Sequence, residues 1–266
     1  MQMLWQQPVV NCMPETRHQG RVRCRLDQLL VEKGLICSRS RARAMIMAKK
    51  VLVDDHPCDK PGTQVDPRSH IIVKEADHPY VSRGGIKLEK GLTTFPVNVN
   101  GKICMDIGAS TGGFTDCLLR FGAKKVYAVD VGYGQLAWSL RNDPKVVVIE
   151  RTNIRYMPFE TIGRKMDMVV ADTSFISLKK VIPAAEKFMG PGCRVIALIK
   201  PQFEAGKQYV GRGGVVKDPE IRQKVVTDIS QFFAEKGYLV TDVLPSPVPG
   251  PKGNTEYLIF LVFNGQ

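Results

Sequence analysis

No apolar run in this chain approaches the roughly 20 residues that a membrane-spanning helix needs, which argues against a helical membrane protein. The N-terminus carries Trp5 and Val9-Val10 but neither a continuous apolar core nor a cleavage pattern, so a secretion signal is not expected. Residues 1–20 read instead as a polar, mobile extension. Cysteine occurs seven times, an odd number, with no Cys-x-x-Cys pair and no clustering around the four histidines. Cys104, Cys117 and Cys193 sit within apolar patterns. They are expected to be buried, reduced thiols of a cytoplasmic protein, neither disulfides nor zinc ligands. Acids are scarce in one region. Residues 17–50 hold ten Lys/Arg but only Asp27 and Glu32, so two thirds of the net charge of +12 falls in about an eighth of the chain. Such concentration suggests a dedicated face for a polyanion, held by phosphate contacts and counterion release.

What is present points to nucleotide chemistry. The stretch Cys104-Met-Asp-Ile-Gly-Ala-Ser-Thr-Gly-Gly-Phe-Thr115 is an apolar strand with one acid, then a turn of small residues, then an amphipathic run from Phe114 to Phe121. Strand, glycine turn and helix form the first βα unit of a nucleotide-binding α/β fold. A dinucleotide fingerprint requires Gly-x-Gly-x-x-Gly, and its second glycine is missing here, because Gly108 is followed by Ala109-Ser110-Thr111-Gly112. An acid inside the strand followed by Gly-x-x-x-Gly matches the first motif of S-adenosylmethionine-dependent methyltransferases. Asp106 would lie near the cofactor's ammonium, with Gly108, Ser110 and Gly112 in the turn. A plain strand–turn–helix, or another nucleotide site, fits the same residues. The next strand, Lys125 to Asp130, ends in an acid about 20 residues past the first glycine, the place of a ribose-binding carboxylate.

From Gly101 onward strands and helices alternate. Strands are expected at 103–107, 125–130, 146–149, 167–172 and 194–199, and helices around 179–188 and 219–236. The segments 238–244 and 256–263 are expected to close the sheet as an antiparallel pair. The expected fold class is α/β: a seven-stranded, mostly parallel, Rossmann-like sheet with helices on both faces and a small N-terminal α+β domain. In that domain, helical spacing from Arg25 to Gly34 precedes Ser38, read as the N-cap of a second helix with Arg39, Arg41, Arg43 and Lys49 on its polar face. Short strands with turns follow over 51–73. The boundaries are placed at 1–20 for the extension, 21–76 for the basic domain, 77–85 for a linker and 86–266 for the α/β domain.

Ligands of such sheets sit at the carboxyl ends of the strands. Asp172 ends one strand, Lys200 ends the next, Glu256 begins the last, and Lys87 falls in the first turn of a helix after Ser82-Arg83-Gly84-Gly85. Each alone reads as a cap or a solvated charge. Together, two lysines and two carboxylates suit methylation of a ribose 2′-hydroxyl, a poor nucleophile that needs a base to take its proton. Lys200 is the candidate base and Lys87 the residue that orients the hydroxyl, with Asp172 and Glu256 orienting the lysines.

At these residues the chain resembles the TlyA-type proteins, known both as haemolysins and as ribosomal RNA 2′-O-methyltransferases, within the wider FtsJ-like group. The resemblance spans about residues 22–263. It rests on Arg25-Leu-Asp27, Ser38-Arg39, Lys60-Pro-Gly62, Val81-Ser-Arg-Gly-Gly-x-Lys87, the Asp106–Thr115 motif, Asp172-x-Ser-Phe-Ile-Ser177, Lys200-Pro-Gln-Phe-Glu204 and Glu256-Tyr257. It implies S-adenosylmethionine as cofactor and a Lys87-Asp172-Lys200-Glu256 catalytic tetrad. Asn153 falls where the family approaches the adenosine. It implies an alpha-L RNA-binding domain, with Arg25, Arg39, Arg41, Arg43, Lys49 and Lys50 on ribosomal RNA or ribosomal subunits. One departure stands out: Ala48-Lys49-Lys50 precede Val51, where family members commonly have a glycine, so the loop geometry is open. Two other readings stay in play, a membrane-active haemolysin and a non-catalytic ribosome-binding factor.

Overall fold

A computed structural model describes residues 23–36, 38–74 and 78–265. The expected extension over 1–20 lies outside them. The chain divides into two compact units, 1–77 and 78–266.

In the first unit, β1 (Cys24–Arg25) leads into α1 (Leu26–Glu32) and then α2 (Arg39–Met47). Ser38 caps α2 by accepting from the Arg41 N–H. Next come β2 (Val51–Val53), β3 (His56–Cys58), β4 (Gln64–Val65) and β5 (Ile71–Val73). β3, β2 and β5 form one antiparallel sheet, and β1 pairs with β4. Leu26, Leu30, Ile36, Ala42, Ile46 and Val51 form its core. The loop left open by the missing glycine is resolved plainly. Lys49 itself takes the left-handed conformation, φ +56°, while its N–H reaches Ile46 O and that of Lys50 reaches Met45 O. That is a Schellman cap, closed by a lysine at the position glycine favours.

In the second unit the order is α3 (Gly84–Thr94), β6 (Ile103–Ile107), α4 (Gly113–Arg120), β7 (Lys125–Val129), α5 (Trp138–Arg141), β8 (Val146–Ile149), β9 (Met166–Ala171), α6 (Leu178–Ala185), β10 (Met189–Ile199), α7 (Pro201–Glu204), α8 (Pro219–Glu235), β11 (Tyr238–Pro245) and β12 (Tyr257–Phe263). The seven strands run β11-β12-β10-β9-β6-β7-β8, with β12 antiparallel to both neighbours and the other pairs parallel. This is the expected seven-stranded sheet. Both faces are buried because alternate strand residues feed opposite cores: Val195, Ala197 and Ile199 on one side, Ile196 and Leu198 on the other. α3 and α4 cover the second face through Leu88, Leu92, Phe114 and Leu118, while α6 and α8 cover the first through Val181, Ile182, Ile229 and Phe233.

The segment read as a linker, 77–85, behaves otherwise where it is described. Tyr80 is buried in the second face's core, the Val81 N–H donates to the Asp116 carboxylate, and α3 begins at Gly84. Its Pro and Gly residues read as breakers, but a buried aromatic between them anchors the segment. Lys87 therefore falls just beyond the first turn of α3.

Candidate active site

The site is built at the end of β6. From Ile107 the chain turns through Gly108, which has φ +83°; a Cβ there would stand 2.8 Å from the Asp172 carbonyl oxygen. Only glycine lets this turn lie against the end of β9. The next turn is drawn in by one carboxylate. Asp130 accepts from the Ser110 N–H at Oδ2 and from the Gly132 N–H at Oδ1, both at 2.7 Å. A cleft of about 480 Å³ opens between these turns and β9, with Gly108, Ser110, Asp130, Gln135, Asn153 and Asp172 on its polar wall. Ile107, Val129, Ile154 and Ile176 form apolar sides.

Two residues expected in the cofactor site stand behind its wall. Asp106 is fully buried, and its Oδ2 accepts from the Thr115 hydroxyl at 2.7 Å. Burial, aided by the nearby negative charges of Asp172 and Asp130, pushes its carboxyl up to about 7 despite the Thr115 hydrogen bond. A strand residue pointing into the layer under the turn cannot also face the cleft. Gly112 has φ +94° and packs under α5, where a Cβ would strike Leu140 Cδ1 at 2.3 Å. Its part is to seat the turn.

Beside this cleft, and sharing Gly108, Ser110 and Asp172 with it, lies a smaller pocket of about 260 Å³. Ser82, Arg83, Lys87, Ser174 and Lys200 also line it. Lys200 Nζ is 2.6 Å from Asp172 Oδ1 and donates to Ser174 Oγ at 3.1 Å. Lys87 Nζ donates to Glu256 Oε2 at 2.6 Å. Lys87 is 5% exposed, Lys200 6% and Glu256 1%. The four side chains thus form two close lysine–carboxylate pairs, both lysines opening on one pocket. Burying such pairs is expensive unless each charge is matched, and here each lysine has a carboxylate partner.

Sequence reasoning passed over three residues. Gln135 and Phe175 line the cleft and Ser174 holds Lys200. Ser174 and Phe175 lie within the motif after Asp172, whereas Gln135 sits in an irregular segment with no periodic signal. Phe175 is 90% exposed, takes φ +63° and packs tilted against Phe203 with ring centroids 5.0 Å apart.

In the first unit, Arg25, Arg39, Arg43 and Lys49 are exposed, and Arg41 and Lys50 are partly buried. The expected single face of α2 divides. Arg39 and Arg43 are one turn apart and share a side, while Arg41, two residues from each, points away from it.

A mostly parallel sheet with a glycine turn, a ribose-type acid on the next strand and an adjoining pocket of paired lysines and carboxylates defines a nucleoside-cofactor group-transfer enzyme of the Rossmann-like class. The chain belongs to the FtsJ-like methyltransferase family, which matches residues 80–263, and carries an S4 domain over residues 24–71. A Mycobacterium tuberculosis relative, the 16S/23S rRNA (cytidine-2′-O)-methyltransferase TlyA, is 49% identical over 240 residues, covering 90% of both chains. Hemolysin A of Brachyspira hyodysenteriae is 41% identical over 246 residues, covering 90% of this chain and 99% of its own. A solved candidate hemolysin from Streptococcus thermophilus is 41% identical, covers 91% of this chain and 89% of its own, and superposes with a TM-score of 0.71.

The family's cofactor is S-adenosylmethionine. The cleft's donor set fits it. A carboxylate with two oxygens at the rim suits the ribose diol, apolar walls suit the adenine, and the glycine cradle admits close backbone approach.

Proposed function

We propose that this protein methylates ribosomal RNA at the ribose 2′-hydroxyl of a cytidine, acting in the cytoplasm on RNA or on a ribosomal subunit. The observation that carries the reading is the two lysine–carboxylate contacts, both lysines buried, that open beside the cofactor cleft. The M. tuberculosis relative's name supplies the nucleotide class.

Bound S-adenosylmethionine would supply an electrophilic methyl group. Asp130 would hold its ribose hydroxyls, with Asn153 beside the adenosine. Lys200 would act as the general base, its Nζ in the neutral form taking the 2′-hydroxyl proton while that oxygen accepts the methyl group and the cofactor's sulfonium carbon–sulfur bond breaks to leave the neutral thioether. Lys87 orients the hydroxyl, and Glu256 and Asp172 fix the two lysines in place. The S4 unit would supply register on the RNA through Arg25, Arg39, Arg41, Arg43, Lys49 and Lys50, since A-form RNA is read mainly by shape and phosphates.

The test is tritiated methyl transfer from S-adenosylmethionine to ribosomal subunits lacking native modification. Wild type should incorporate label and Lys200→Ala should lose at least about 100-fold, the scale of a missing general base. RNA affinity of the variant should be unchanged. Full activity of Lys200→Ala would remove the base assignment. Cofactor binding without turnover on any ribosomal RNA would favour a binding factor instead. Among the described residues no helix is long and apolar enough to cross a membrane, so the hemolysin names of relatives gain no support from that quarter.

A further inference from the structure

One acid stands in the middle of the basic unit. Asp27 is the second residue of α1 and is fully buried, yet its carboxylate is spent on two arginines whose side chains reach the surface. Arg25 Nε and Nη2 donate to Oδ1 and Oδ2, both at 3.0 Å, a bidentate fork. Arg39 Nη2, from the start of α2, lies 3.5 Å from the same Oδ2. The side chains of Arg25 and Arg39 are 44% and 57% exposed, while that of Asp27 is 1%.

The fork is braced from below. The Leu26 N–H donates to Thr63 O and the Asp27 N–H to Pro61 O, which fixes the Lys60-Pro61-Gly62 turn under the start of α1. Gly62 lies beside the Arg25 guanidinium, where a Cβ would be in ordinary contact with it, 3.4 Å from Nη1 and 3.6 Å from Cζ. The Arg25 guanidinium is thus gripped along one edge and flanked by Gly62, and Arg39 is brought to the same carboxylate. Neither grip exhausts the donors, since a guanidinium carries five N–H groups.

We propose that Asp27 is a positioning residue that builds Arg25 and Arg39 into one preformed fork for a backbone phosphate of the substrate RNA. This rests on the RNA-substrate reading above and deepens it. Two long, flexible cations on a surface lose side-chain entropy when they close on a phosphate. The buried carboxylate settles that loss in advance. Its hydrogen bond from Arg25 also holds the Asp27 carboxyl below the usual carboxylate range, as a closely gripped carboxylate should be.

The proposal makes a prediction of unusual sign. Removing an acid from a basic surface should strengthen polyanion binding if only net charge matters. If Asp27 positions the fork, Asp27→Ala should instead weaken it. In full-length protein titrated with deproteinised ribosomal RNA across a salt series, Asp27→Ala should bind about tenfold more weakly, the scale of one charge-assisted contact. In an Arg25→Ala/Arg39→Ala background the same change should have no effect or should tighten binding, because there is nothing left to position. Asp27→Ala binding RNA as tightly as wild type, or more tightly, would overturn the proposal. A conservative variant guards against a folding artefact. Asp27→Asn should keep wild-type S-adenosylmethionine affinity and a single cooperative unfolding transition, at a somewhat lower midpoint, while losing part of the RNA affinity. In the wild type, the Arg25 Nε–H resonance should be sharp and should move on titration with inorganic phosphate; no movement would count against the fork even if the RNA reading holds. A wild type that binds no ribosomal RNA, with the phosphate response intact, would remove the RNA reading. Loss of binding to phosphatidylglycerol vesicles, and not to RNA, on Asp27→Ala would assign the fork to lipid and overturn the proposal.

Discussion

The Lys87–Glu256 pair offers the most demanding check on how the site is built. Both side chains are buried, their contact is 2.6 Å, and Glu256 sits immediately before the interior strand β12. Glu256→Ala leaves an ammonium buried without its counterion, which costs about 3–5 kcal/mol in comparable settings. For a domain of this size each kcal/mol moves the midpoint by about 2–4 °C, so a fall of about 6–20 °C is expected. Removing both charges should cost less than removing one, because the desolvation of both groups disappears together. Lys87→Met/Glu256→Leu should therefore recover much of the midpoint lost by Glu256→Ala, while methyl transfer stays abolished in both. Scanning calorimetry of wild type, Lys87→Met, Glu256→Leu and the double variant, all without cofactor, gives the cycle, with Glu256→Ala measured beside them. Additive losses, or a Glu256→Ala midpoint within about 2 °C of wild type, would show that the lysine relaxes into solvent and that the pair is not a buried unit.

Asp106 gives a pH prediction. Its carboxyl is at about 7 in the folded protein against 3.8 for an ordinary aspartate, so the folded state keeps a proton the unfolded chain releases. The stability from that proton is complete below about pH 4 and is lost as pH rises through about 7; Asp106→Asn should flatten this decline in denaturant titrations. Asp130→Ala should weaken S-adenosylmethionine binding by about tenfold or more in calorimetry, with part of the loss arising from release of the two turns it ties. Gly85→Ala should destabilise by about 1–3 kcal/mol, because its Cβ would lie 2.1 Å from Tyr80 Cγ in a closed core.

The mostly parallel sheet is legible because strands buried on both faces read as short apolar runs between turn formers, as in Met166–Ala171 and Val195–Ile199. The polar residues at strand ends stood out for the same reason: Asp130, Asp172 and Lys200 interrupt or end runs that are otherwise apolar. What escaped were features set by packing. The sequence cannot show that Tyr80 fills the second face's core, so the segment around it read as linker. Arg39, Arg41 and Arg43 look like one basic stripe in print, yet the helical turn divides them. Motif position puts Asp106 near the cofactor, while the pleat of β6 turns its buried side chain toward Thr115. Lys49 shows the converse: a missing glycine suggested an altered loop, but the backbone adopted glycine's conformation with a lysine in place.

The position of β12 has a consequence for how the enzyme comes into being. It follows β11 in the chain but lies inside it, between β11 and β10, and it brings Glu256 to Lys87 across 169 positions of sequence. A nascent chain that has already made β6 to β10 therefore has its cofactor turns and Lys200 but an unmatched Lys87 and an unpaired strand edge on β10. Such long-range closure is slow relative to local helix formation, and the open edge is exposed to wrong partners until β12 docks. On the roles proposed for Lys87 and Glu256, competence for the reaction would wait on this long-range strand pairing.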